Sequence, residues 1–218
     1  MARPRLIDIT PRLSPRTAVW PGDTNLSREV LVDIDDGAHL DLSTLRTTVH
    51  IGAHADGPRH YRRGASDIAG RDPARYLGPC QIVDVDVGRG ERILPAHITV
   101  EISAPRVLFK TGTMPDPDVW NDDFAALSAE LIAWLAERDV HLIGLDTPSI
   151  DPMASKAMES HQAVADRDLA ILEGVVLDHV DPGLYTLIAL PLPLEGFDAS
   201  PVRAVLIEGA GWEDLYAG

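Results

Sequence analysis

Residues 45–61 read LRTTVHIGAHADGPRHY. Leu45, Thr47, Val49 and Ile51 alternate with Thr44, Arg46, Thr48 and His50, the period-two pattern of a half-buried strand. His50, His54 and Asp56 share one parity, so in an extended chain their side chains leave from one face. Gly52 lets the backbone bend with no side chain in the way. Gly57 and Pro58 stop the strand, and Pro58 stiffens the approach to His60. Two imidazoles and a carboxylate are thereby expected to converge, with a third imidazole presented from a loop beside them.

That combination points to chemistry. Three of the chain's eight histidines fall within residues 50–60, with Asp56 among them. Imidazole and carboxylate together suit zinc, manganese or iron. Two His and one Asp leave positions open for water and substrate. The bland alternative is a strand edge of hydrogen-bonded histidines, which a single His would favour. Glu159-Ser160-His161, with Glu173 downstream, could supply a further His and Glu. Taken alone, those residues read as solvated surface near a helix.

Moving outward, apolar and β-branched runs punctuated by Gly and Pro predict strands over 6–9, 29–34, 42–51, 81–87, 106–109, 141–145, 175–177, 185–190 and 203–208. The clearest helix is 128–138. Leu131, Trp134 and Leu135 fall on one face and Ser128 can cap its start. A second helix is expected within 163–173, and short helical turns near Asp67 and Asp72. Strands dominate without a regular βαβ alternation, so the fold class is mixed α/β, a strand-rich single domain over 1–218.

Composition narrows the function classes. Nineteen Lys and Arg against 34 Asp and Glu give a formal net charge of −15, which repels nucleic acid and anionic membrane. No apolar run approaches the ~20 residues that span a bilayer. MARPRLIDIT at the start lacks the apolar stretch of a signal peptide. Cys80 is the only cysteine, so no internal disulfide or CxxC site forms. Packing in a reduced, cytoplasmic setting is its expected role. G-x-S-x-G, H-E-x-x-H, G-x-x-x-x-G-K-[ST] and G-x-G-x-x-G are all missing, which disfavours serine hydrolases, zincins and nucleotide-binding folds.

The run from His50 to His60 resembles the H-x-G-T-H-x-D-x-P-x-H signature of the cyclase-like metal-dependent hydrolases. Ala53 stands where much of that superfamily has Thr, which is similar to the kynurenine formamidase branch. Trp20-Pro21-Gly22-Asp23-Thr24, the segment from Asp146 to Pro152, Glu159-Ser160-His161, the segment from Ala170 to Gly174 and that from Asp198 to Arg203 also resemble that branch, in collinear order. The resemblance implies a swivelling β/β/α-type fold, commonly a homodimer, and two divalent metal ions, usually zinc, with manganese possible on chemical grounds. It implies that His50, His54 and Asp56 bind the first metal, and that Asp56 bridges to a second held by His161 and Glu173. His60 is then the acid/base, and N-formylkynurenine the expected small-molecule substrate. Trp20 is a candidate wall for its aromatic ring, with core packing an equal alternative. A related hydrolase opening a cyclic amide such as isatin, and a non-enzymatic metal-binding protein, are the competing readings.

Overall fold

The computed structural model describes residues 5–209, so both ends of the expected 1–218 domain lie outside the described residues. In chain order the elements are β1 (Arg5–Asp8), β2 (Ser27–Val32), β3 (Leu42–Arg46), β4 (His54–Asp56), β5 (Leu77–Asp84), β6 (Arg92–Ile93), β7 (Arg106–Lys110), β8 (Ala126–Leu127), α1 (Ala129–Ala136), β9 (Leu142–Leu145), α2 (Glu159–Arg167), β10 (Ala170–Glu173), β11 (Gly183–Ile188), β12 (Ala199–Pro201) and β13 (Val205–Glu208). Nine strands form one sheet in the order β1-β13-β11-β5-β7-β9-β10-β4-β12. Its centre, β5-β7-β9-β10, is parallel. The flanking pairs are antiparallel. The fold is mixed α/β and strand-rich, as the sequence pattern indicates.

The central strands are buried on both faces, which explains why they read as continuous apolar runs rather than alternating ones. Val107, Phe109, Ile143 and Ile171 pack beneath α1 and α2, against Leu131, Ile132, Leu135 and Val164. Leu108, Leu142 and Leu172 point the other way, into a second apolar layer with Ile82, Leu187 and Leu206. Each such fully buried side chain contributes about 1.5–3 kcal/mol of burial free energy. Cys80 sits in that second layer, fully buried, and burial pushes its thiol up to about 12. The α1 helix starts where Ser128 Oγ accepts from Leu131 N at 3.0 Å, the cap expected from the sequence.

Several expectations are corrected. The strand expected over 42–51 ends at Arg46; residues 47–53 turn, and pairing resumes only at β4. Instead of being half buried, β3 pairs with β2 alone in a separate ribbon. All five of its residues are exposed, Leu45 at 66%. The second helix begins at Glu159, not Ala163, and stops at Arg167 because Asp168 adopts a left-handed conformation (φ 51°). Ala170–Glu173 is therefore strand rather than helix, whereas 175–177 is irregular. The turns near Asp67 and Asp72 are short 3-10 segments, Ile68–Gly70 and Pro73–Tyr76, each capped by the preceding aspartate.

Candidate metal centre and active site

Three parts of the chain meet at the β4 end of the sheet. In β4, His54 lies opposite Glu173 of β10, and Asp56 lies opposite Ile171. Directly opposed residues share a face, so His54, Asp56 and Glu173 project together toward the helical side, while Ala55 and Leu172 enter the other layer. His161 arrives from the first turn of α2. His50 comes from the turn before β4, not from a continuous strand face, which corrects the route expected from its parity while preserving the convergence. That turn needs glycine twice. Gly52 has φ 55°, and Gly174, after Glu173, has φ 66° with no room for a Cβ against the Gly52 carbonyl oxygen.

The distances define the cluster. His50 Nδ1 is 3.2 Å and His54 Nε2 3.6 Å from Asp56 Oδ1. His161 Nε2 is 3.5 Å from Asp56 Oδ2. Glu173 presents Oε2 to His54 Nε2 at 3.2 Å and Oε1 to His161 Nε2 at 3.7 Å. Both carboxylates therefore lie between the His54 and His161 imidazoles. His54, Asp56, His161 and Glu173 are all buried. Among the described residues, His54 Nε2, both Asp56 oxygens and His161 Nε2 have no hydrogen-bond partner despite burial. Leaving such atoms unsatisfied costs roughly 1–3 kcal/mol each. An array of unpaired imidazole nitrogens and carboxylate oxygens facing one another is the donor set a divalent cation takes, so the residues fit a metal centre.

Electrostatics agree. Burial opposes a charge on His50, but the Asp198 and Asp56 carboxylates beside the ring outweigh it and push its pKa up to about 10. His161 is likewise pushed up to about 10, against burial, by Asp151 and Asp56. Burial would raise the Asp56 carboxyl, yet His161 and His50 hold it well below its ordinary value. Asp56 is thus held ionised by positive charge beside it, which is the part a divalent cation would take.

The outer groups were the part that sequence reasoning missed. Asp151 accepts from His161 Nδ1 at 2.9 Å and from the backbone N–H groups of Ser160 and His161, which aims His161 Nε2 at the cluster. Ile150 N donates to Glu173 Oε1 at 2.7 Å. Asp198 reaches both His50 and His60. Asp151 and Asp198 lay inside segments that carried the resemblance, but spacing gave neither a role.

His60, on the short 3-10 turn Pro58–His60, is partly exposed beside the cluster. Its ring centroid is 4.3 Å from that of His50 and 5.8 Å from that of His161. His50, His60 and Glu173 line a cavity of about 580 Å³ that Trp20 also lines. Trp20 is partly exposed there. Trp120 and Phe124 meet its ring edge-on at centroid distances of 5.3 and 6.3 Å. Asp146, at the end of β9, accepts from Thr111 and Gly112 and fixes the start of the loop that carries Trp120; burial raises its carboxyl above the ordinary value.

Known proteins resemble this chain over nearly its whole length. The Cyclase family model matches residues 7–152, which include the segment from His50 to His60. A kynurenine formamidase of Bordetella petrii is 45% identical over 206 residues, 94% of this chain and 98% of that protein. One of Bordetella pertussis matches to the same extent. A solved structure described as a potential metal-dependent hydrolase with cyclase activity superposes with a TM-score of 0.80 at 24% identity, covering 95% of this chain and all of that one. Isatin hydrolase A of Ralstonia solanacearum gives 0.76 at 22% identity, covering 94% and 92%; at that identity the likeness speaks for the fold alone. With near-complete coverage at 45% identity and the family signature folded into one buried cluster, the chain belongs to the Cyclase family and, within it, to the kynurenine formamidase branch.

Proposed function

We propose that this chain is a metal-dependent arylformamidase that hydrolyses N-formyl-L-kynurenine to L-kynurenine and formate, in tryptophan degradation by the kynurenine pathway. The observation that carries the reading is the buried, unpartnered His54–Asp56–His161 array opening beside a cavity walled by Trp20, in a chain 45% identical to kynurenine formamidases. The proposed ligands are His50, His54 and Asp56 for a first ion, and Asp56, His161 and Glu173 for a second. The ions are zinc, which His and carboxylate ligands suit, with manganese the alternative. The two-sided reach of Asp56 and Glu173 supports a pair of ions rather than one.

A divalent cation held there supplies a water whose pKa falls from about 15.7 toward about 7, and polarises the formyl oxygen. The protein's own groups do the rest. Trp20 gives the aryl ring a wall, braced by Trp120 and Phe124. Water oxygen bonds to the formyl carbon as a proton of that water passes to His60, the carbon–nitrogen bond breaks, and His60 returns the proton to the departing anilide nitrogen. An imidazole is suited to that transfer near neutral pH.

The same reading takes the protein as a cytoplasmic homodimer. Val30 and Leu45 are exposed large apolar residues on one face of the β2–β3 ribbon, a surface that a second copy would cover. A buried, unreactive Cys80 is consistent with a reducing compartment.

The test is a substrate panel on one zinc-loaded preparation. The expected kcat/KM for N-formylkynurenine exceeds that for formanilide, because contacts to the amino-acid group realised in the transition state raise it. Faster turnover of isatin, with little on N-formylkynurenine, would move the protein to cyclic-amide hydrolysis.

A further inference from the structure

Asp198 stands just before β12, at the point where the chain returns to the site. Its backbone is held on both sides. Gly57 N donates to the Asp198 carbonyl at 2.7 Å, Ile68 N to the Phe197 carbonyl at 3.1 Å, and Gly196 N to Asp67 Oδ2 at 2.6 Å. The β12–β4 pairing begins immediately afterwards, with Ala199 opposite Asp56. The carboxylate is thus delivered from a pinned segment, although its side chain is 46% exposed at the cavity. One oxygen, Oδ2, meets His50 Nε2 at 3.0 Å and His60 Nδ1 at 3.4 Å.

We infer that Asp198 is a positioning residue that sets the tautomers of both histidines and thereby couples the acid/base to the metal-facing cluster. Accepting Nε2–H from His50 leaves the Nδ1 lone pair of that ring on the side of Asp56, 3.2 Å away. Accepting Nδ1–H from His60 leaves Nε2 of that ring as the atom free to take and return a proton. A carboxylate behind an imidazole orients it and raises its basicity in this way, both behind metal ligands and behind general bases. Among the described residues the Asp198 side chain hydrogen-bonds to His50 and His60, so its effect should run through those two rings. The inference rests on the proposed acid/base role of His60.

Asp198→Ala, Asp198→Asn, His60→Ala and the double variants tell the cases apart, assayed with N-formylkynurenine at saturating zinc. Asp198→Ala is expected to lower kcat about 10–100-fold with KM little changed. Asp198→Asn, whose amide oxygen can still accept, should recover part of that loss. In the His60→Ala background the same change should cost much less. In ¹⁵N spectra of the zinc-loaded protein, His60 should be Nδ1-protonated with Asp198 present and shift toward the Nε2–H form in Asp198→Ala. Full additivity with His60→Ala, or an unmoved His60 tautomer, overturns the inference while leaving the proposed reaction intact. Wild-type turnover in His60→Ala overturns the acid/base assignment itself. A lost equivalent of zinc in Asp198→Ala makes Asp198 a ligand and also overturns it.

Discussion

Strands β3 and β4 began as the same signal, alternating residues on either side of Gly52, and ended in opposite environments. Every residue of β3 is exposed, while every residue of β4 and β10 is buried. Alternation states that one face is apolar; it does not state what covers that face. At β4 the chain itself supplies the cover, through β10, β12 and the first turn of α2. At β3 the chain supplies only β2, and Leu42 and Leu45 stay in solvent. The contrast separates a region whose energetics are internal from one whose apolar surface points outward.

Perturbing the buried region should have the largest effects. Asp151→Ala removes the partner of His161 Nδ1 and of two backbone N–H groups at the start of α2. Zinc affinity is expected to fall about 10–100-fold, read by competition with a chromophoric chelator. Unchanged affinity would mean that His161 is oriented by its helix alone.

Next comes the pH response of the metal-free protein. His50 and His161 have folded-state pKa values raised to about 10 from the ordinary 6.5. A raised histidine pKa contributes stability that is complete below about 6.5 and is lost as pH climbs through about 10. The Tm of chelated protein should therefore fall across that window, and zinc-loaded protein should resist the fall, since the ligands are then held without protons. A flat profile for the chelated protein would contradict the raised values of His50 and His161.

The smallest effect on the fold belongs to the ribbon. Leu45→Glu at a position 66% exposed should alter monomer stability by no more than about 0.5 kcal/mol. It should nonetheless shift the proposed homodimer toward monomer in sedimentation experiments. A variant with unchanged mass would leave the ribbon without a partner of its own kind.

How much of this was legible beforehand follows the same contrast. The central strands were readable because both faces are buried and the runs are continuous, as at Arg106–Lys110 and Leu142–Leu145. The α1 helix announced itself through Ser128 and its apolar stripe. The α2–β10 boundary was not readable: Leu169 to Leu172 is a short apolar run compatible with either period, and only the left-handed Asp168 separates the two elements. In the site, the residues 50–60 were conspicuous because His and Asp cluster in sequence. Sequence spacing alone left His161 and Glu173 ambiguous, since the register of β4 against β10 brings Glu173 to His54 from over a hundred residues away. Asp151 and Asp198 left no spacing signal at all, because an outer carboxylate is defined by where its loop is pinned rather than by its neighbours.

The central claim is that the His50–His54–Asp56–His161–Glu173 cluster is a two-metal centre on which formamide hydrolysis depends. Titrating chelated protein with zinc while following N-formylkynurenine hydrolysis tests it most directly, with Asp56→Ala as the control because Asp56 lies against all three imidazoles. The account predicts negligible turnover without metal, a rise that saturates at two equivalents per chain, and neither bound zinc nor recovery in Asp56→Ala. Full activity in the chelated protein, or normal zinc content in Asp56→Ala, would contradict it.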